Sequence, residues 1–172
     1  ARINTLGHAI TVKQPLLKGS ASDGGLTKLG AGTLALAGAC SFTGATVVAE
    51  GSLALPASYS SSSLTLSAGT AMSLANGSIQ TQQLGTAVFP TGVTVTFDAL
   101  SGGVACDQIG LPAGATVGDL SIAVVQAGTA QPVSRAGDYP LFTCAGTPPA
   151  VSGWTLLNPA VGRTWSFEVV GS

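Results

Sequence analysis

Residues 24–55 read GGLTKLGAGTLALAGACSFTGATVVAEGSLAL, and this stretch decides the fold. Short segments within it alternate apolar and small polar side chains after a glycine, as in residues 32–36 (GTLAL) and 51–55 (GSLAL). Alternation at every second residue is typical of a β-strand that buries one face. The stretch therefore predicts short strands joined by glycine-containing corners.

The same pattern returns at a nearly fixed distance along the chain. One evenly spaced series consists of Leu34, Leu53 and Met72. A second series with almost the same spacing consists of Leu26, Val47 and Leu66, and Val93 follows Met72 at a similar distance. Two interleaved series with one period indicate a coil of about 20 residues that carries at least two strands on different faces. The sequence therefore predicts an all-β fold, a right-handed parallel β-helix (solenoid), in which each strand pairs with the strands one coil above and below.

Glycines are expected at the corners of these coils, because a corner often needs a positive φ. The predicted corner glycines are Gly30, Gly32, Gly44, Gly51, Gly69 and Gly77. Residues 23–25 (DGG) favour a turn before the first strand of the stretch. Residues 76–78 (NGS) match the sequence pattern of a glycosylation site, but the Asn-Gly pair is better interpreted as a turn.

Composition supports this fold and excludes several classes of partner. Only 8% of the 172 residues are charged, the net charge is -1, and hydrophobic residues make up 45%. Six Lys and Arg residues are too few for a nucleic-acid surface or a polybasic membrane patch. A mean hydropathy of +0.49 argues against disorder. No uninterrupted apolar run is long enough for a membrane-spanning helix. We therefore expect no nucleic-acid partner and no insertion into a membrane.

From residue 98 onward the period loosens, and prolines and aromatic residues become frequent. Residues 119–125 and 164–170 still alternate like strands. We predict one β-helix domain over residues 1–172, with regular rungs over 1–97 and larger-looped rungs and a cap over 98–172. A cap is needed because the last open coil of a solenoid would otherwise recruit other chains.

The sequence offers little catalytic chemistry. His8 is the only histidine, so a Ser-His-Asp triad or a zinc set would depend on a single exposed residue. A glycosidase needs two positioned carboxylates, and the candidates are spaced widely in sequence: Asp98, Asp107, Asp119, Asp138 and Glu168. Stacked coils can bring such positions together, so spacing alone does not exclude a pair. We predict a protein that is not an enzyme, with no catalytic residue, no metal and no cofactor.

Two sets of residues remain open to a special role. Cys106 and Cys144 each lie beside a predicted strand and could form a disulfide, which would leave Cys40 as a free thiol or an intermolecular link. Alternatively, all three are small buried hydrophobic residues. Tyr139, Trp154 and Trp165 could stack on sugar rings if they are exposed, or could fill the wide end of the core.

The stretch 24–55 resembles the autotransporter-associated β-strand repeat, also called the passenger-associated transport repeat. The resemblance rests on three segments, GGLTK at 24–28, GTLAL at 32–36 and FTGAT at 42–46, and on the closing GSLAL at 51–55. The chain departs from the family pattern at Cys40, where Asn is frequent, and at Phe42, where Tyr is usual. The resemblance implies a passenger-type β-helix that is secreted or displayed on a bacterial surface.

The flanking segments fit the same family loosely. Residues 1–17 resemble the end of a preceding rung, which suggests that the chain begins within a repeat array. Residues 139–144 and 163–170 resemble the segments that close such arrays. We therefore expect a rigid extracellular rod or fibre subunit whose partners are other copies of itself, stacked end to end. The alternative is an adhesin-type module that binds surface glycans through its C-terminal aromatic residues.

Overall fold

A computed structural model describes residues 1–21 and 23–170 of the chain. These residues contain sixteen short strands in three sheets, and every strand pair in the sheets is parallel. Within the described ranges no helix is long and apolar enough to cross a membrane. The predicted all-β, parallel architecture is confirmed, whereas the right-handed sense of the coils stays a prediction from the general rule for parallel crossovers.

Each sheet collects one strand from successive coils. The first sheet has the order β1 (Arg2–Asn4), β3 (Leu26–Leu29), β5 (Thr46–Val48), β7 (Ser63–Leu66), β10 (Thr86–Phe89) and β13 (Thr116–Val117). The second sheet runs through β2 (Ile10–Val12), β4 (Thr33–Leu36), β6 (Ser52–Ala54), β8 (Ala71–Ser73), β11 (Val93–Ala99), β14 (Leu120–Gln126) and β16 (Thr155–Leu156). The third sheet consists of β9 (Thr81–Gln83), β12 (Gln108–Leu111) and β15 (Phe142–Cys144).

The third face begins before its regular strands. Leu16, Cys40 and Tyr59 form parallel bridges with one another in that order, one residue from each of the first three coils. The side-chain amide of Gln82 on β9 then donates to the carbonyl oxygen of Tyr59 at 2.9 Å. The coils therefore have three faces along most of the described chain, one more than the two series in the sequence predict.

The first predicted ladder is confirmed and is longer than the sequence predicts. Leu34 lies opposite Leu53, and Leu53 lies opposite Met72. The complete ladder runs through Ile10, Leu34, Leu53, Met72, Val95, Ile122 and Leu156. The expected place of Val93 in this series was wrong, because Met72 faces Val95 while Val93 faces Leu120.

The second predicted ladder was wrong, by one residue at Val47 and by two at Leu66, which lies opposite Val48. Leu26 lies opposite Thr46, and Thr46 lies opposite Leu64, so that Val47 faces away from the core. Residues 46–48 read TVV, three β-branched residues in a row, and such a run carries no alternation that reveals its inner face. The structure buries Thr46 and Val48 and leaves Val47 half-buried.

Two predicted corner glycines act by a different mechanism from the others. Gly30, Gly51, Gly69 and Gly77 have positive φ as expected, but Gly32 and Gly44 do not. A Cβ on Gly32 would overlap the backbone of His8, and a Cβ on Gly44 would overlap that of Gly25. These two glycines are therefore needed because the backbones of neighbouring coils approach closely there.

The C-terminal part combines one confirmed strand with one wrong prediction. The expected strand at 119–125 exists as β14, which pairs with β11 along its whole length. Residues 163–170 form no strand, although Trp165 and Phe167 still pack on the core with their neighbours exposed. The alternation in this segment reflects two inward aromatic side chains rather than a paired backbone.

Candidate functional site

The structure brings together one pair of carboxylates that the sequence leaves apart. Asp98 lies near the end of β11, and Asp107 follows a tight return in which Ala99 and Cys106 form an antiparallel bridge. The Asp107 carboxylate accepts a hydrogen bond from the backbone N–H of Asp98 at 2.6 Å. Its other oxygen accepts from the N–H of Gln80 at 2.9 Å. The return between β11 and β12 thus places one acid directly against the backbone of the other.

The Asp98 carboxylate binds the neighbouring corner in the same manner. Its Oδ2 accepts from the N–H of Asn76 at 2.8 Å and from the N–H of Gly77 at 2.6 Å. The two acids together hold residues 76–80 against the return between β11 and β12. The predicted Asn-Gly turn is confirmed at this corner, because Gly77 has a φ of 88° and the Asn76 side chain accepts from the N–H of Ser78.

Burial decides what this carboxylate pair can do. Asp98 is 1% exposed and Asp107 is 0% exposed, so neither can reach a glycosidic bond in solvent. Desolvation raises the pKa of Asp107 to about 6, since the amides of Asp98 and Gln80 offset only part of that effect. A raised carboxyl pKa near a second acid is typical of active sites, but here both acids are sealed and bonded to backbone amides. The geometry supports a structural role.

A buried lysine forms the other charged group in the core. Lys28 is 0% exposed, and its Nζ lies within 2.6–3.1 Å of four oxygens. The acceptors are Thr5 Oγ1 and the carbonyl oxygens of Leu29, Gly30 and Glu50. Burial lowers the pKa of Lys28, and the nearby Glu50 carboxylate partly opposes that effect. Lys28 therefore ties three successive coils together through their oxygen atoms.

The alternation of β3 could have revealed this lysine. Leu26 faces the core, Thr27 faces outward, and Lys28 follows two residues after Leu26 on the inner side. A lysine at an inward position is rare unless it is paired or hydrogen-bonded. The inward position of Lys28 in the alternation of β3 therefore indicated an internal hydrogen-bond network.

The three cysteines are free thiols in the structure. The Sγ of Cys106 contacts the carbonyl oxygen of Pro140 at 3.7 Å, whereas Cys144 lies opposite Leu111, further along the neighbouring segment. The predicted Cys106–Cys144 disulfide is therefore not formed. Burial raises the pKa of Cys106 to about 11, so it stays a neutral thiol.

Cys40 occupies the third face between the first and third coils. It is 3% exposed, lies between Leu16 and Tyr59, and its Sγ contacts the carbonyl oxygen of Gly38 at 3.5 Å. Desolvation raises its thiol pKa as well. These surroundings are those of a small buried hydrophobic residue, which is the second of the two interpretations drawn from the sequence.

The three candidate sugar-binding aromatic residues have different environments. Trp154 is 8% exposed, donates through Nε1 to the carbonyl oxygen of Gly118 at 3.2 Å, and packs edge-on against Phe142 and Phe167. It belongs to the core. Tyr139 and Trp165 are half-buried, and their ring centroids lie 5.9 Å apart at an interplanar angle of 36°.

Trp165 also lines a surface cavity of about 230 Å³. The cavity lies between residues 135–137 and 162–165, and two arginines, Arg135 and Arg163, contribute to its wall. No acidic residue lines it. Sequence reasoning missed this arrangement, because the two arginines are distant in sequence and only the return of the chain over the last coil brings them together.

Elsewhere the candidate groups are occupied or isolated. His8 is exposed and lies near the first coil corner. A second cavity, of about 290 Å³, lies beside Asp23 and Phe42. The Asp23 carboxylate in its wall already accepts hydrogen bonds from the N–H groups of Thr43 and Gly44. Within residues 1–21 and 23–170 no group of three or more His, Cys, Asp or Glu side chains could hold a metal ion.

Comparison with known families agrees with the repeat seen in the fold. Residues 26–55, which contain the strands from β3 to β6, match the family model of the passenger-associated-transport-repeat. The match covers these two coils only; proteins that carry this repeat are autotransporter passengers, which are secreted or surface-exposed. No curated protein and no solved structure matches the chain.

Proposed function

We propose that the chain is a non-catalytic structural module of a bacterial surface or secreted protein, a rigid β-helical rod that stacks end to end on a second copy. The observation that supports this most directly is the pairing of the first coil. In the described part of the chain, β1 pairs only with β3 and β2 pairs only with β4. Each of these strands keeps one free edge, to which a further parallel strand can add.

The free edge of β2 carries unpaired backbone groups. The carbonyl oxygen of Val12 accepts from the N–H of Ala37 at 2.9 Å, so Val12 is directed towards β4. In a parallel ladder the residues of a strand alternate in direction, and the N–H and C=O of Thr11 therefore face the free edge. Leu6, Ile10 and Leu17 of the same coil are exposed apolar residues, which a stacked coil would cover.

The opposite end of the rod offers a second, different surface. β13 is the last strand of the first sheet and pairs only with β10 among the described strands. The final segment of the chain also exposes apolar side chains, at Leu157, Val161, Val169 and Val170. Two different ends that fit each other give a heterologous contact, which extends into a filament instead of closing into a ring.

A structural role also fits the chemistry of the core. The paired acids Asp98 and Asp107 are sealed from solvent, and Lys28 is surrounded by backbone oxygens. Catalytic groups need access to substrate, whereas these three groups serve the corners of the coil. The repeat match over residues 26–55 supports a secreted or surface location, and a bacterial surface is part of the proposal.

Negative-stain electron microscopy and light scattering over a range of protein concentrations test the stacking. The wild-type chain should give rods that lengthen with concentration. Thr11→Pro removes an N–H that faces the free edge and leaves the bonds to β4 intact, so it should give short rods only. Thr11→Ala keeps the N–H and is the matched control. Short rods at every wild-type concentration, or equal loss in both variants, would overturn end-to-end stacking.

The second candidate function, recognition of surface glycans, loses one of its three residues because Trp154 is buried. Tyr139 and Trp165 remain, beside the cavity that contains the two arginines. This arrangement changes the kind of sugar that the surface would select.

A further inference from the structure

We propose that the cavity between residues 135–137 and 162–165 is a binding site for a carboxylated sugar. It is lined by Arg135, Arg163, Thr164 and Trp165 together with small residues, and its volume is about 230 Å³. Ligand pockets for drug-sized molecules typically measure about 300–1,000 Å³. The cavity therefore suits a single sugar unit at the surface of a longer glycan.

The electrostatics of the cavity are unusual for this chain. The whole protein has six Lys and Arg residues and a net charge of -1, yet two arginines line this one cavity without an acidic neighbour in its wall. Within the described ranges neither guanidinium forms a hydrogen bond or an ion pair with another residue. Both planar donors are therefore free for a carboxylate, which arginine binds in a bidentate manner.

The loops that carry the arginines are held in place by local contacts. The Tyr139 hydroxyl donates to the carbonyl oxygen of Arg135 at 3.1 Å, which fixes the first loop. The second loop turns at Gly162, where φ is 74°, and the N–H of Arg163 donates to the carbonyl oxygen of Ala160 at 3.1 Å. A site whose loops are already ordered loses less conformational entropy when the ligand binds.

The aromatic wall favours a sugar over a simple anion. Trp165 packs at a tilt against Tyr139, and this pair adjoins the arginines through the cavity wall. The indole Nε1 of Trp165 is buried without a hydrogen-bond partner in the described structure. An indole ring presents an amphipathic surface that packs on the C–H groups of a sugar ring, while phosphate has no such groups. The two features together select a sugar acid.

Isothermal titration calorimetry at physiological salt tests the proposal with trigalacturonate as the probe. Neutral galactotriose and inorganic phosphate are the comparison ligands. Trigalacturonate should bind the wild-type chain, and galactotriose and phosphate should bind at least tenfold more weakly. Arg135→Ala and Arg163→Ala should each weaken binding of trigalacturonate tenfold or more, because each removes one half of the carboxylate clamp. Arg163→Lys keeps the charge but loses the planar fork and should also weaken binding.

Arg2→Ala is the matched control, since it removes the same charge from an exposed strand at the other end of the rod. It should leave binding unchanged, and circular dichroism should show that all four variants keep the wild-type fold. Three results would overturn the proposal: no heat of binding with trigalacturonate, equal affinity for phosphate, or equal weakening by Arg2→Ala. The stacking proposal is tested separately by Thr11→Pro and Thr11→Ala, which change the first coil and leave the cavity intact.

Discussion

The two halves of the rod solve the same packing problem with different means. In the second sheet, the consecutive ladder residues Leu34, Leu53 and Met72 are evenly spaced along the chain, and the core beneath them is mainly aliphatic, with one aromatic pair, Phe42 and Tyr59. Further along the same ladder the spacing grows at every step, from Met72 to Val95, from Val95 to Ile122 and from Ile122 to Leu156. The strands still pair in parallel, although the coils have become much longer.

The side chains of the core follow this change in coil length. The long coils enclose a continuous chain of aromatic rings, with centroid separations of 5.1–5.8 Å, in the order Phe97, Phe142, Trp154 and Phe167. A wider cross-section leaves more volume to fill, and protein interiors tolerate few voids. The comparison teaches that backbone pairing keeps the coils in register while side-chain size adapts to the width of each coil.

Replacing the central aromatic residue should have the largest effect and should separate the two halves. Trp154→Ala removes a side chain that is 8% exposed and contacts Phe142 and Phe167, so we expect a loss of about 4 kcal/mol of unfolding free energy. Because coils contact only their neighbours, hydrogen exchange should accelerate in β14 and leave β4 and β6 nearly unchanged. Equal acceleration in all three strands would show that the halves unfold as one unit.

The corresponding prediction for the regular half concerns the substitution Leu53→Ala. Leu53 is 0% exposed and sits between Leu34 and Met72 in the ladder, so Leu53→Ala should cost about 3 kcal/mol and accelerate exchange in β4 and β6 first. Ser52→Ala, on the outward face of the same strand, is the control and should change the unfolding free energy little. Denaturant titration measures both variants, and a similar loss from Ser52→Ala would contradict the inward register of the strand.

The buried carboxylates Asp98 and Asp107 predict that the stability of the fold depends on pH. Asp107 has its pKa raised from 3.8 to about 6 in the fold, so the folded chain holds this proton more tightly than the unfolded chain does. The contribution of Asp107 to the unfolding free energy should therefore be greatest below pH 3.8. It should fall by about 3 kcal/mol in total as the pH rises through 6.

The variant Asp107→Asn isolates this contribution. Subtracting its pH profile of unfolding free energy from that of the wild type removes the other titrating groups. The facing groups are Asp98, whose carboxylate raises the pKa of Asp107, and Cys106, whose own thiol stays neutral because its pKa is about 11. A flat difference between pH 4 and pH 7 would refute the assignment.

The smallest effect is expected at an exposed corner of the regular half. Asp23 accepts hydrogen bonds from the N–H groups of Thr43 and Gly44 in the next coil, and the Thr43 bond is the main cause that lowers its pKa below 3.8. Asp23→Ala should lower the melting temperature slightly at neutral pH. In strong acid the wild type loses the same contribution, since a lowered pKa stabilises the fold only above the ordinary value. A difference that persists in strong acid would contradict this mechanism.

The sequence predicted those parts of the fold that depend on alternation and period. Leu34, Leu53 and Met72 could be aligned because each belongs to a short segment in which apolar and small polar residues alternate. Val47 could not be placed, because its neighbours are equally β-branched and the inner face is decided by pairing with Thr27 and Thr65. The sequence did not predict the third face of the coils, because in the first three coils this face consists of single bridged residues instead of strands.

The candidate sites depend on contacts between coils, which a single sequence does not contain. Asp98 and Asp107 meet because the chain reverses between β11 and β12, and Arg135 and Arg163 line one cavity because residues 135–137 and 162–165 lie together in the fold. Of the two interpretations that the sequence left open for Trp154, the structure supports core packing, since the aromatic residues that fill a coil and those that line a surface look alike in sequence. Family resemblance over 26–55 says nothing about either site.

Asn158 has a consequence for how such arrays can change in length. Its side-chain amide accepts from the N–H of Val124 at 3.0 Å and donates to the Val124 carbonyl at 2.9 Å, so a single side chain replaces the backbone that would otherwise continue β16 along β14. A side chain that imitates a peptide unit can be added or removed by one codon. A substitution at Asn158 would therefore leave the N–H and C=O of Val124 open to a further strand, without any change in the coils that precede it.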